Sequence, residues 1–215
     1  MKIKINAFQL KCIAIVTMFI DHVGAILFPG ELIFRYIGRI SFPIFCFLLI
    51  EGFSHTRDIR KYMIRLAIFA LISEIPYDLA FRHTWFDIER QNVFFTLLIG
   101  IVMMYALERC ATWPEKAIVV ILSMWIAVVL KTDYNFKGIL LISIYYFLRK
   151  YKWIKLSLGA VWNLLWGEIQ RYGDFASLLL MAYNGEKGRS LKYFFYVFYP
   201  LHLLFLYGIS LVLAR

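Results

Sequence analysis

Apolar residues occur in long blocks along the whole chain, separated by short polar stretches that hold most of the Lys and Arg. A helix crosses a hydrocarbon layer with about 20 residues, at about 1.5 Å per residue. By that measure the blocks predict helices near 8–28, 33–54, 62–81, 92–109, 116–131, 137–149, 153–167, 173–184 and 193–213. The segments beginning at 137, 153 and 173 are short, and the last has only about ten apolar residues, which suits a re-entrant segment or one held among neighbours. The expected architecture is an all-α, polytopic transmembrane helix bundle of about nine spans, forming a single integral-membrane domain over 1–215.

Composition agrees with the pattern: 62% of residues are apolar, and the 18% that are charged fall below the roughly 25% of soluble domains. The first block carries Asp21 and His22 and lacks a small-residue cleavage site before Phe28, so it reads as a permanent span rather than a secretory signal. A formal charge of +10 would suggest nucleic acid in a soluble protein, but in a membrane protein it first sets orientation. Of the 24 Lys and Arg, 16 fall on the side of the N-terminus (Lys2, Lys4, Lys11; Arg57, Arg60, Lys61, Arg65; Arg109, Lys116; Arg149, Lys150, Lys152, Lys155; Lys187, Arg189, Lys192). The other 8 are Arg35, Arg39, Arg82, Arg90, Lys131, Lys137, Arg171 and Arg215. The asymmetry predicts a cytosolic N-terminus and an external C-terminus in the cell membrane, and it explains most of the charge without a nucleic-acid partner. Cys12, Cys46 and Cys110 show neither metal-ligand spacing nor the even count of a disulfide framework; they read as small buried apolar residues, and no metal is expected.

The ionisable residues inside the blocks gather in the outer half. Asp21 and His22 lie just past the middle of the first helix, Arg35 and Arg39 in the outer third of the second, and Glu74 and Asp78 in the outer part of the third. Asn92, Lys131, Asp133, Lys137, Glu168, Arg171 and Asp174 fall near the outer boundary, and His202 sits at mid-depth in the last helix. A charged side chain at the bilayer centre costs about 2.5–3.5 kcal/mol on insertion scales, so such groups face the bundle interior and pair. A polar chamber opening outward is the economical expectation. Neighbours on a helix point about 100° apart, so Asp21 and His22 require separate partners: Arg35 or Arg39 for Asp21, and Glu74 or His202 beside His22. A buried ion pair that only fixes helix packing remains open for each of these.

Lys11 precedes His22 by about three turns, which puts both side chains on one face about 16 Å apart. That would suit an extended cofactor arm, with its charged head at the cytosolic surface and its reactive end at the imidazole; an interface-anchoring lysine is the plainer alternative. Gly38 and Pro43 loosen the second helix near Arg39 and free backbone groups there. The inner end from Glu51 to Arg65 holds Gly52, His55, Thr56 and four basic side chains, suited to the phosphates of a nucleotide-like cofactor or to anionic lipid.

The stretches LKCIAIVTMFIDHVG, IGRISFPIFCFLLIEGFSHTRDIRKYMIRLAIFALISEIPYDLAF, NVFFTLLIGI, TDYNFKGILLI and FFYVFYPLHLLFLYGI together resemble the TraX family, named for the pilin N-acetylase of F-type conjugation systems. TraX-like proteins in turn resemble multi-span acyltransferases that use cytosolic acyl-CoA and carry a basic residue and, about three turns later, a histidine on the first helix, like Lys11 and His22 here. The resemblance implies acetyl-CoA as donor and an amine or hydroxyl acceptor, either a pilin-type N-terminus or a cell-envelope molecule. It makes His22 the leading catalytic residue with Asp21 beside it, puts Arg39, Glu51, Glu74, Asp133 and His202 at motif positions, and implies Arg57 and Arg65 near the cofactor.

Three functions fit these expectations. In an acyltransferase, a histidine with an ordinary pKa of about 6.5 removes the acceptor's proton, and a basic group such as Arg39 stabilises the oxyanion. In a proton-coupled transporter, Asp21, His22, Glu74 and His202 relay protons, although the halves show no pseudo-symmetry. In a structural membrane protein the same polar groups merely pack helices.

Overall fold

A computed structural model describes residues 4–167 and 169–213, with the backbone alone at 192. Lys2, Glu168, Arg215 and the side chain of Lys192, which enter the charge and depth assignments, lie outside the described residues. Among those described, the secondary structure is helical, apart from two isolated bridges, Ile5 with Tyr183 and Gln91 with Thr132. The helices are α1 (Ala7–Ile26), α2 (Leu32–Gly38), α3 (Ser41–His55), α4 (Ile59–Arg82), α5 (Val93–Leu107) and α6 (Trp113–Val129). They continue with α7 (Asn135–Phe147), α8 (Lys152–Leu165), a 3-10 turn (Gln170–Asp174), α9 (Phe175–Met181) and α10 (Lys192–Leu213).

Three stretches are long and apolar enough to cross a membrane by length and composition: Ala7–Ile26, Leu32–His55 and Tyr193–Leu213. Val93–Leu107 is apolar but shorter. α4 has 24 residues, yet carries Arg60, Lys61 and Arg65 in its first two turns and Glu74 and Asp78 further on.

The expected second helix is two helices. α2 ends at Gly38, Arg39 is its C-cap, and α3 begins at Ser41. Pro43 lies in the first turn of α3, where its missing N–H is tolerated; the same absence leaves the Arg39 carbonyl, four residues back, without its helical donor. The 3-10 turn packs against this break, close enough that a Cβ on Gly173 would stand 3.0 Å from that carbonyl.

α3 is the innermost helix. Phe42, Ile44, Cys46, Leu49 and Ile50 are buried among α1, α5, α7 and α9. α10 lies outside this core against α1 and α4, and most of its surface is uncovered. Two backbone clasps close the bundle. At the Asn6 end, Ile5 N–H donates to Ala182 O (2.9 Å) and Ala7 N–H to Glu186 O (2.8 Å). At the opposite end Gln91 N–H donates to Lys131 O (3.0 Å), flanked by the ion pairs Arg90–Asp133 (2.7 Å) and Lys131–Glu89 (2.8 Å).

Helix starts follow capping chemistry. Asn6 and Gln9 form a capping box on α1, Thr112 and Glu115 another on α6, and Asn92 and Asp58 cap α5 and α4. The Asp58 carboxylate accepts the Lys61 N–H (3.0 Å), which with the Lys61 ammonium holds its pKa below the ordinary carboxylate range. Because the folded value is the lower one, the cap's contribution is complete above the unfolded value of about 3.9 and is lost as pH falls through the folded value. Amide-exchange protection at Lys61 is therefore expected to fall on acidification below about pH 4. Asp58→Asn, a neutral cap, should flatten that dependence; a protection factor independent of pH in the parent protein would refute the assignment.

Candidate functional site

Asp21 and His22 are successive residues of α1 and face different helices. Asp21 points at α2, where Arg35 and Arg39 are one turn apart. Arg35 Nη1 donates to Asp21 Oδ2 (2.8 Å) and to its backbone carbonyl (3.2 Å), and Arg39 Nη2 donates to Oδ1 (2.5 Å). Both oxygens of this buried carboxylate are engaged, the geometry of a counter-ion to two guanidiniums. Gly38 makes the approach possible, since a Cβ there would overlap the Asp21 side chain. Among the described residues, Arg39 Nε is buried without a hydrogen-bond partner. The Thr17 hydroxyl, one turn from Asp21, turns back to the Ile13 and Ala14 carbonyls.

His22 points at α10. Its Nδ1 lies 2.6 Å from Nε2 of His202, whose Nδ1 is 2.8 Å from the Phe198 carbonyl. The imidazoles are parallel within 2° with centroids 4.9 Å apart. With so short an N···N contact, that separation requires the rings to lie end to end in one plane rather than stacked. Phe198 stacks on His202 (4.8 Å) and Phe19 meets it edge-on, while Phe81 and Tyr199 meet His22 edge-on at 5.4 and 6.0 Å.

Beside the pair is a cavity of about 30 Å³ whose lining includes Asp21, His22, Gly38, Ser41, Asp133, Tyr134 and Tyr199. A groove of about 510 Å³ runs along α10 from Tyr193 past His202 to Phe205, with Phe19 of α1 on its wall; apart from His202 and the Tyr193 hydroxyl its lining is apolar.

The single outward-opening chamber expected from depth is instead a set of separate polar knots. Asp133 lines the small cavity and pairs with Arg90. Glu74 does not meet His22: its Oε1 accepts both the backbone N–H (3.0 Å) and the side-chain amide of Asn92, which also donates to Ala70 O (2.8 Å). Asp78 Oδ2 accepts the Asp87 N–H (2.8 Å). Glu51 belongs to the other end of the bundle, where Oε2 accepts the Tyr183 hydroxyl (2.9 Å). Equal depth on different helices does not imply a shared face, and Glu74 and Asp78 lie on a face of α4 that meets the start of α5 and the segment before it. The four groups of the possible proton relay are thereby divided: His22 and His202 touch, while Asp21 and Glu74 have partners elsewhere.

Of the three cofactor-binding residues expected, two converge. Lys11 Nζ sits 5.6 Å from the Phe195 ring, and Arg65 packs on Tyr62 beside Tyr196, so they flank adjacent residues near the start of α10. Arg57 stands exposed on the turn between α3 and α4. Tyr134 and Tyr199 were not expected at the site. Tyr199 lies one turn before His202 and so shares its face, a signal present in the sequence; Tyr134 follows Asp133 in a turn whose direction no periodicity reveals.

A family profile described as TraX protein matches residues 7–210. The chain belongs to the TraX family. It is 31% identical to the probable fimbrial assembly protein FimC, serogroup H1, of Dichelobacter nodosus, with 94% of each chain covered. A second relative, an uncharacterised protein of Rickettsia prowazekii (strain Madrid E), is 30% identical over 48% of this chain and 38% of its own. No solved structure matches. Membership in the TraX family and three helices able to cross a membrane make this a membrane protein.

Proposed function

We propose that this TraX-family chain is an integral-membrane acyltransferase that moves an acetyl group from cytosolic acetyl-CoA to an amine or hydroxyl acceptor at the membrane or its outer face. The observation that carries the reading is the setting of His22: one ring nitrogen is held by His202, and the residue borders a cavity shared with Asp21, Asp133 and two tyrosines. As the acceptor attacks the thioester carbonyl, the imidazole takes its proton; the carbon–sulfur bond breaks, and the proton passes to the departing thiolate. Lys11, about 16 Å away along the unbroken α1, and Arg65 supply positive charge for the donor's phosphates at the inner end. Arg39 is committed to Asp21, so its contribution to an oxyanion rests on its unpartnered Nε–H.

The family and the fimbrial-assembly name of the Dichelobacter relative favour a pilin-type N-terminus as acceptor. The excess of Lys and Arg on the N-terminal side supports a multi-pass arrangement of about nine crossings in the plasma membrane, with the N-terminus in the cytosol. The test is the purified protein in lipid with radiolabelled acetyl-CoA and a synthetic pilin-like peptide. Label is expected on the peptide with a free N-terminal amine and not on the blocked peptide, with one thiol released per transfer. Absence of both label transfer and thiol release, from this peptide and from envelope extracts, would overturn the proposal.

A further inference from the structure

We infer that His202 is a positioning residue that sets the tautomer of His22, so that Nε2 of His22 carries the lone pair that takes the acceptor's proton. The catalytic meaning of this assignment rests on the acyl-transfer reading; the tautomer itself does not.

The argument is an accounting of protons. A backbone carbonyl only accepts, so the 2.8 Å contact with Phe198 O requires the hydrogen of His202 to be on Nδ1. A neutral imidazole has one N–H, which leaves Nε2 of His202 as an acceptor. The 2.6 Å contact with His22 then requires His22 to donate from Nδ1, and a neutral His22 presents Nε2 with its lone pair free. Among the described residues that Nε2 has no hydrogen-bond partner. The end-to-end, coplanar arrangement points the Nδ1–H of His22 at the Nε2 lone pair of His202, and the rings of Phe19, Phe198, Phe81 and Tyr199 pack against the pair and oppose rotation.

The consequence is a chain of three groups, carbonyl to imidazole to imidazole, in which a neutral histidine does the orienting that a carboxylate does in serine hydrolases. When Nε2 of His22 takes the proton, the existing Nδ1–H bond to His202 becomes charge-assisted, so the cation is stabilised without any group having to move. Without His202, His22 is free to hold its proton on Nε2 and has no lone pair where the acceptor's proton must go. This also explains why the acid adjacent in sequence is not the orienter: the two oxygens of Asp21 are taken by Arg35 and Arg39.

Nitrogen NMR of 15N-histidine-labelled protein in lipid, with signals assigned through His22→Gln and His202→Gln, reads the tautomers without substrate. Both residues are expected to be protonated on Nδ1 and bare on Nε2; a bare Nδ1 on His22 would overturn the inference whether or not the protein transfers acetyl groups. In the transfer assay, His202→Leu is expected to lower kcat by about 10–100-fold at an unchanged KM for acetyl-CoA. His202→Gln, which keeps a carbonyl acceptor for the Nδ1–H, should recover most of that loss. If Gln is as poor as Leu while both melt like the parent, the orienting role fails and the acyltransferase reading stands. If the parent protein shows no transfer, that reading fails and the NMR result still decides the tautomer.

Discussion

Replacing His22 with Ala is expected to slow acetyl transfer by a factor on the order of 10²–10⁴, the usual contribution of a positioned general base. The effect should fall on kcat. His22 is well separated from Lys11 and Arg65, where the donor's charged end is proposed to bind, so KM for acetyl-CoA should change little. Folding should survive, because the variant loses one hydrogen bond to His202 and part of the aromatic packing with Phe81 and Tyr199, an order of about 1–3 kcal/mol. Steady-state kinetics on protein shown by its melting curve to be folded separates the two effects. Activity within about threefold of the parent would remove His22 from the chemistry and leave the imidazole pair as a structural bond between α1 and α10.

Much of the fold was readable because hydropathy is local. Gly38 and Pro43 marked the second helix as loosened near Arg39, where the structure breaks it in two, whereas the capping box of Asn6 and Gln9 that starts α1 was not read. The separate partners of Asp21 and His22 followed from the angle between successive helical residues, and Arg35 or Arg39 as the counter-ion from their depth on the next helix; the structure engages both. Chain depth misled where direction around the axis mattered. Glu74 stands at a depth suited to meet His22, but its face of α4 looks toward Asn92, and which helix lies against that face is a tertiary fact. Glu51 illustrates the same limit along the other coordinate: the resemblance implied a motif position for it, yet the length of α3 puts it beside Tyr183 rather than the imidazoles. Asn92 was visible as a boundary residue. Its second role, holding the Glu74 carboxylate from both its backbone and its side chain, needed the packing of α4 on α5.

The stability of the α1–α2 contact depends most on Asp21. Asp21→Ala is expected to destabilise the protein by about 3–5 kcal/mol, because breaking a buried ion pair leaves charge without compensation, and here two guanidiniums lose their acceptor. Arg39 is the more buried of the two and already has an unpartnered Nε, so it should account for the larger share. Asp21→Asn keeps the shape and one acceptor oxygen and should cost less. Asp21→Glu is no remedy, since the backbone of Gly38 already lies against the Asp21 side chain and leaves no room for a longer one. The instructive variant replaces all three residues together, Asp21→Leu with Arg35→Leu and Arg39→Met. Removing both signs of charge also removes their desolvation cost, and well-packed apolar substitutes often match a buried ion pair. Unfolding in detergent is expected to show most of the Asp21→Ala loss recovered in the triple variant. If acetyl transfer recovers with it, Asp21 acts by holding α1, and with it His22, in place; if stability returns without transfer, the Asp21–Arg39 pair takes part in the chemistry. A loss below about 1 kcal/mol in Asp21→Ala would place the ion pair among those that contribute nothing measurable, and would transfer the positioning of His22 to its contacts with α10 alone.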